Sequence, residues 1–140
     1  MSTSSCNTCN SCITHNIQQN NYEEIAKGFL ETKPEVFIGG GYNNFARRID
    51  SVDMVKQLVD EGYTIVTSVE ELEIETDATM LAGLLAPEHL PAISEGRGDM
   101  LSYAAIKAIE TLNKNDKVFL MIEASQIDWG AHENNTRGIL

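Results

Sequence analysis

Apolar positions along the chain fall into short blocks separated by amphipathic stretches, and the alternation predicts strands that follow helices. Val36-Phe37-Ile38, Tyr63 to Thr67, Met80 to Leu85 and Val118 to Ile122 read as strands. The last two are nearly unbroken apolar runs, as expected of strands covered on both faces of a parallel sheet. Asn21, with Glu24 three residues on, gives an N-cap pattern for a helix with Ile25, Phe29 and Leu30 on one face. Pro34 lies beyond its end. A second helix is expected from Asp50 or Ser51 to about Glu61, with Val52, Val55, Leu58 and Val59 inward and Gly62 as its stop. Ser68 and Glu71 match a capping box opening a short helix. Glu88 to Gly98 reads as loop. A longer helix follows, from about Asp99 to Asn113, with Leu101, Ala105, Ala108 and Leu112 on its buried stripe.

Strands alternating with helices predict an α/β fold with a largely parallel sheet and right-handed crossovers. The 140 residues suffice for one modest domain. Residues 1–19 are polar and rich in Ser, Asn, Thr and Gln, which predicts a loop or a frayed start. Lys and Arg number 10 against 21 Asp and Glu, a net charge of -11 that disfavours a nucleic-acid or anionic-membrane partner. No apolar run reaches the length needed to span a bilayer. The first residues carry neither the basic start nor the apolar stretch of an export signal. Three cysteines leave at least one unpaired, against a disulfide framework.

Candidate chemistry collects at the end of the Val118–Ile122 run. Glu123 closes it, Asp128 follows five residues later, and His132 four after that. In open α/β sheets the ligand crevice lies outside the carboxyl ends of the strands. Carboxylate and imidazole donors suit zinc, and a carboxylate alone suits magnesium. A helical turn would put Asp128 and His132 on one face. A glutamate that simply ends a strand in solvent is the competing reading. Gly39-Gly40-Gly41 follows a strand but lacks the context of a phosphate-cradling motif, so a tight structural turn is favoured. Cys6, Cys9 and Cys12 form C-x2-C-x2-C, with His15 as a fourth donor for zinc. An iron–sulfur module would need a fourth cysteine, which the chain lacks.

Phe119-Leu120-Met121-Ile122-Glu123-Ala124-Ser125-Gln126-Ile127-Asp128-Trp129 with His132 resembles the metal-ligand segment of bacterial alkaline phosphatases. Asn20 to Ala26, Val36 to Gly41, Met80 to Leu84 and Glu95 to Asp99 also resemble segments of that family, in its order. The resemblance covers nearly all of residues 8–137. It implies an alkaline phosphatase-like α/β/α sandwich, incomplete here, and a homodimer acting on phosphate monoesters through two zinc ions and a magnesium. It implies Glu123 as a magnesium ligand and Asp128 and His132 as ligands of the first zinc. Thr8 keeps the family's threonine-to-histidine spacing to His15, which implies a magnesium-binding hydroxyl there. Family members are commonly periplasmic or secreted.

The departures are specific. Where the family has a phosphate-binding arginine, position 19 is Gln, and a neutral amide cannot give the bidentate, charge-assisted grip of guanidinium. The family's serine nucleophile, its metal-bridging aspartate and its later Asp-His and His ligands have no counterpart in these residues. Ser125 has no base placed beside it. The 140 residues alone are therefore expected to be catalytically incompetent, with strand edges left unpaired. A non-catalytic metal- or phosphate-binding domain on the same scaffold is the alternative, and a redox module at the cysteines the third reading.

Overall fold

The computed structural model describes residues 21–75, 77–114 and 116–124. Its elements run α1 (Tyr22–Thr32), β1 (Val36–Gly40), α2 (Tyr42–Ala46), α3 (Met54–Asp60), β2 (Thr64–Val66), α4 (Val69–Ile74), β3 (Leu81–Ala86), a 3-10 turn at Ile93–Glu95, and α5 (Met100–Leu112). The described strands make one parallel sheet in the order β1-β3-β2, with Val36 and Thr64 both in register with Leu81. The predicted α/β class and parallel pairing are therefore found.

The period-2 alternation of strand side chains divides the core in two. Phe37, Ile65, Ala82 and Leu84 point to one face, where Ile25 and Phe29 of α1, Phe45 of α2 and Met54 and Leu58 of α3 cover them. Val36, Ile38, Val66 and Leu81 point to the other, against Leu72 of α4 and Ala104 of α5. Helices thus cover both faces, and central β3 is buried on both, with Leu81 and Ala82 wholly inaccessible. An aromatic cluster centres on Phe37, whose ring lies 4.6 Å from Phe29, 5.9 Å from Phe45 and 5.6 Å from Tyr63, centroid to centroid. Such tilted and offset pairs add to the area they bury.

Several expectations need correction. Asn21 does not cap α1 through its side chain; its carbonyl accepts from Ile25 N–H, while Glu24 pairs with Lys27 at 2.6 Å. The second helix starts at Met54, not at residue 50 or 51. Ser51 takes a left-handed φ of 58°, the Asp50 carboxylate is held by Arg48, and Asp53 caps instead by accepting from Lys56 N–H at 3.0 Å. Val59 lies on the exposed side of that helix, one residue past fully buried Leu58. Only half of the expected capping box is found: Ser68 Oγ accepts from Glu71 N–H at 3.1 Å, while the Glu71 carboxylate accepts from Thr67 N–H, one residue before the cap, at 2.6 Å.

The largest difference is at residues 118–122, which form no strand. Val118 and Ile122 are half exposed and Phe119 is 85% exposed. An apolar run supplies side chains for a buried strand but not its hydrogen-bonding neighbour or its second cover. Among the described residues no strand pairs with the outer edge of β1.

Candidate functional site

Two strands bring their carboxyl ends together. Gly41 N–H donates to Ala86 O and Asn43 N–H to Pro87 O, both at 3.0 Å, lacing the exit of β1 to the exit of β3. Contrary to the predicted turn over three glycines, β1 continues through Gly40, and only Gly41 turns, with φ of 94°. Gly40 serves a different purpose: a Cβ there would lie 2.1 Å from Glu88 O, so only glycine lets the chain after β3 cross this closely. The short α2 begins at this junction, an element the sequence pattern does not announce.

Beside the junction is a cavity of about 400 Å³ between α1, β1, α5 and residues 119–123. Its walls are mainly apolar, with Phe29, Phe37, Leu101 and Phe119 among them. Asn44, His89, Arg97 and Glu123 bring polar groups to the same lining. The size and the few polar groups are those of a ligand cleft. Arg97 Nε is buried and finds no hydrogen-bond partner among the described residues. His89 and Arg97 come from the stretch read as loop. The only signal for Arg97 in the sequence is the Glu95–Asp99 likeness, which carries no periodicity, and His89 lies outside it.

Of the four sequence-derived candidates, only Glu123 lies within the described residues, and it lines this cavity near the strand ends. Thr8, Asp128 and His132 lie outside them, as do Cys6, Cys9 and Cys12. Among the described residues there is no group of three or more His, Cys, Asp or Glu able to hold a metal. The carboxylate of Glu123 fits a hard cation by its chemistry, and it is one donor of a set. No described helix is long and apolar enough to cross a membrane.

Comparison with known proteins bears on this arrangement. The family model described as alkaline phosphatase matches residues 2–140. Alkaline phosphatases 4 and 3 of Bacillus subtilis (strain 168) are each 33% identical over 135 and 136 residues, 90% and 91% of this chain. The chain spans 29% of the length of those curated relatives. Alkaline phosphatase from the Antarctic bacterium TAB5 is 36% identical, with a TM-score of 0.88 over 98% of this chain and 42% of that one. A mutant of that enzyme at TM-score 0.84 has Mg bound in its M3 site. A cold-active alkaline phosphatase from Shewanella sp. is 33% identical, with a TM-score of 0.81 over 94% of this chain and 33% of that one.

Proposed function

The chain belongs to the alkaline phosphatase family, and from that membership we propose that it forms the metal-binding middle of a phosphomonoester hydrolase. The carrying observation is the TM-score of 0.88 at 36% identity to the TAB5 enzyme over almost the whole chain. Glu123 is assigned to magnesium, with Thr8 as a further oxygen donor. Asp128 and His132 are assigned to one zinc. A hard cation prefers the carboxylate and hydroxyl oxygens, and zinc accepts the imidazole. When bound, a zinc pair supplies Lewis acidity to the attacking and leaving oxygens of an in-line displacement.

What this chain's own residues contribute is placement. Lacing of the β1 and β3 exits fixes one wall of the cleft. The mainly apolar lining lowers the local dielectric, which strengthens electrostatic contacts along it. Arg97 lines the same space and holds a buried guanidinium N–H that no described residue accepts. A serine nucleophile and the rest of both zinc sites must come from residues outside these 140, so the chain alone turns over no phosphomonoester.

Titration calorimetry of the 140-residue chain with Mg²⁺ and Zn²⁺ tests the assignment. Glu123→Gln should weaken Mg²⁺ at least tenfold with little effect on Zn²⁺, and Asp128→Ala should do the reverse. Equal affinities in parent and variants would remove both residues from the metal sites. Zinc-dependent hydrolysis of p-nitrophenyl phosphate by the purified chain would overturn the claim that it needs a further part.

A further inference from the structure

All three cysteines of the chain and one of its three histidines fall between positions 6 and 15, at a constant interval of three: Cys6, Cys9, Cys12 and His15. None of these four side chains takes part in the metal sites assigned above. No Asp, Glu, Lys or Arg precedes Glu23, so sulfur and imidazole are the strongest donors of this stretch. A hard, oxygen-seeking ion finds no carboxylate there, whereas thiolate and imidazole suit a softer one. The described residues contain no cysteine, so no disulfide can tie the stretch to the sheet or its helices. They also hold no group of three or more His, Cys, Asp or Glu able to bind an ion, so the described fold offers no rival cluster of such donors.

We infer that Cys6, Cys9, Cys12 and His15 bind one zinc-class divalent ion, at a site separate from Glu123, Asp128 and His132. Two residues between cysteines is a usual spacing in structural zinc sites, and three cysteines with one histidine is a usual ligand set. The residues between the cysteines are Asn7, Thr8, Asn10 and Ser11, and Asn and Ser favour the tight turns that short chelate loops need. An odd number of thiols leaves one idle in any disulfide arrangement, while a metal uses all three. A ferredoxin-type cluster continues to a fourth cysteine, and position 15 supplies imidazole, which zinc accepts. The net charge of -11 favours uptake of a cation. The site does not rest on the family reading, since it uses none of the donors assigned from it.

The test titrates Co²⁺, as a coloured substitute for zinc, into the full 140-residue chain, purified reduced and metal-free without oxygen. A sulfur-to-cobalt charge-transfer band with the visible bands of tetrahedral cobalt should appear, saturate at one ion per chain and vanish when Zn²⁺ is added. Cys6→Ser, Cys9→Ser and Cys12→Ser should each weaken Co²⁺ at least tenfold. His15→Ala should weaken it and shift the visible bands. Circular dichroism of these variants should match the parent, because the described helices and strands begin at Tyr22. Asp128→Ala should leave the charge-transfer band unchanged, which separates this site from the zinc ligands of the phosphatase reading. Absence of that band overturns the inference, as does saturation at one ion for two chains or indifference to His15→Ala. Iron with acid-labile sulfide in the isolated chain would assign the thiols to a cluster and overturn it as well.

Discussion

Arg48 grips Asp50 with two parallel hydrogen bonds, Nε to Oδ1 at 2.9 Å and Nη2 to Oδ2 at 2.6 Å. The Arg48 side chain is fully inaccessible, and its Nη1 also donates to the carbonyls of Glu23 at 2.7 Å and Asn44 at 3.1 Å. One guanidinium therefore ties α1, the end of α2 and the approach to α3 together. A bidentate fork suits this task better than a lysine point charge.

Acid should unlock this tie. The Arg48 guanidinium, helped by Val52 N–H, holds the Asp50 carboxyl down to about 2 from 3.8. A carboxyl whose proton is held less tightly in the folded state stabilises the fold above its ordinary value. That stabilisation is lost as pH falls through the window from 3.8 to about 2. Thermal melts of Asp50→Asn should be lower than the parent at pH 7, with the gap closing toward pH 2. Arg48→Met should cost about 2–3 kcal/mol at pH 7, since two carbonyls lose their donor and a carboxylate its partner.

Adjacent glycines should respond differently to the same change. A Cβ on Gly40 meets backbone oxygen of Glu88 at 2.1 Å, whereas one on Gly39 meets nothing within 4 Å. Backbone must move to admit the first, so Gly40→Ala should cost about 2 kcal/mol or more, as overpacking does. Gly39→Ala should be within about 1 kcal/mol of neutral. Urea unfolding of the two variants checks the contrast, and equal losses would mean the β3 exit does not cross this closely.

Alkali should act through Tyr63. Its hydroxyl donates to Pro34 O at 2.6 Å, and burial, with Glu35 and Glu61 nearby, pushes its pKa up to about 12 from 10.0. The folded state thus favours the protonated phenol. Its contribution is complete below pH 10 and falls as pH rises toward about 12. Tyr63→Phe should be less stable at pH 7 by about 1 kcal/mol, the usual worth of one hydrogen bond. Its stability should also decline less steeply between pH 10 and 12 in denaturant titrations followed by circular dichroism.

The cap at Ser68 offers a simpler check. Ser68 Oγ accepts from Glu71 N–H, so Ser68→Ala should cost about 1 kcal/mol. Ser68→Asp, which keeps an acceptor at a helix N-terminus, should restore most of it. Equal melts for parent and Ser68→Ala would show that packing of Leu72 alone holds α4.

Local chemistry determined much of this protein. The strand at residue 36, the side-chain cap at Ser68 and the stop at Gly62 each depend on residues close in sequence, and all three form. The alternation of strands and helices sufficed for a parallel α/β sheet, because parallel neighbours require crossovers. Ser51 in a left-handed turn, Asp50 taken by Arg48, and Asp53 capping in their place depend on a buried arginine that reaches back to Glu23, 25 residues away. No local pattern encodes that reach. The likeness around Glu123 named a family through residue identities, and Asp128, His132 and Thr8 remain proposals made from it. Tertiary structure alone decided that Val118 to Ile122 stays out of the sheet, since a strand exists only through its neighbour's hydrogen bonds.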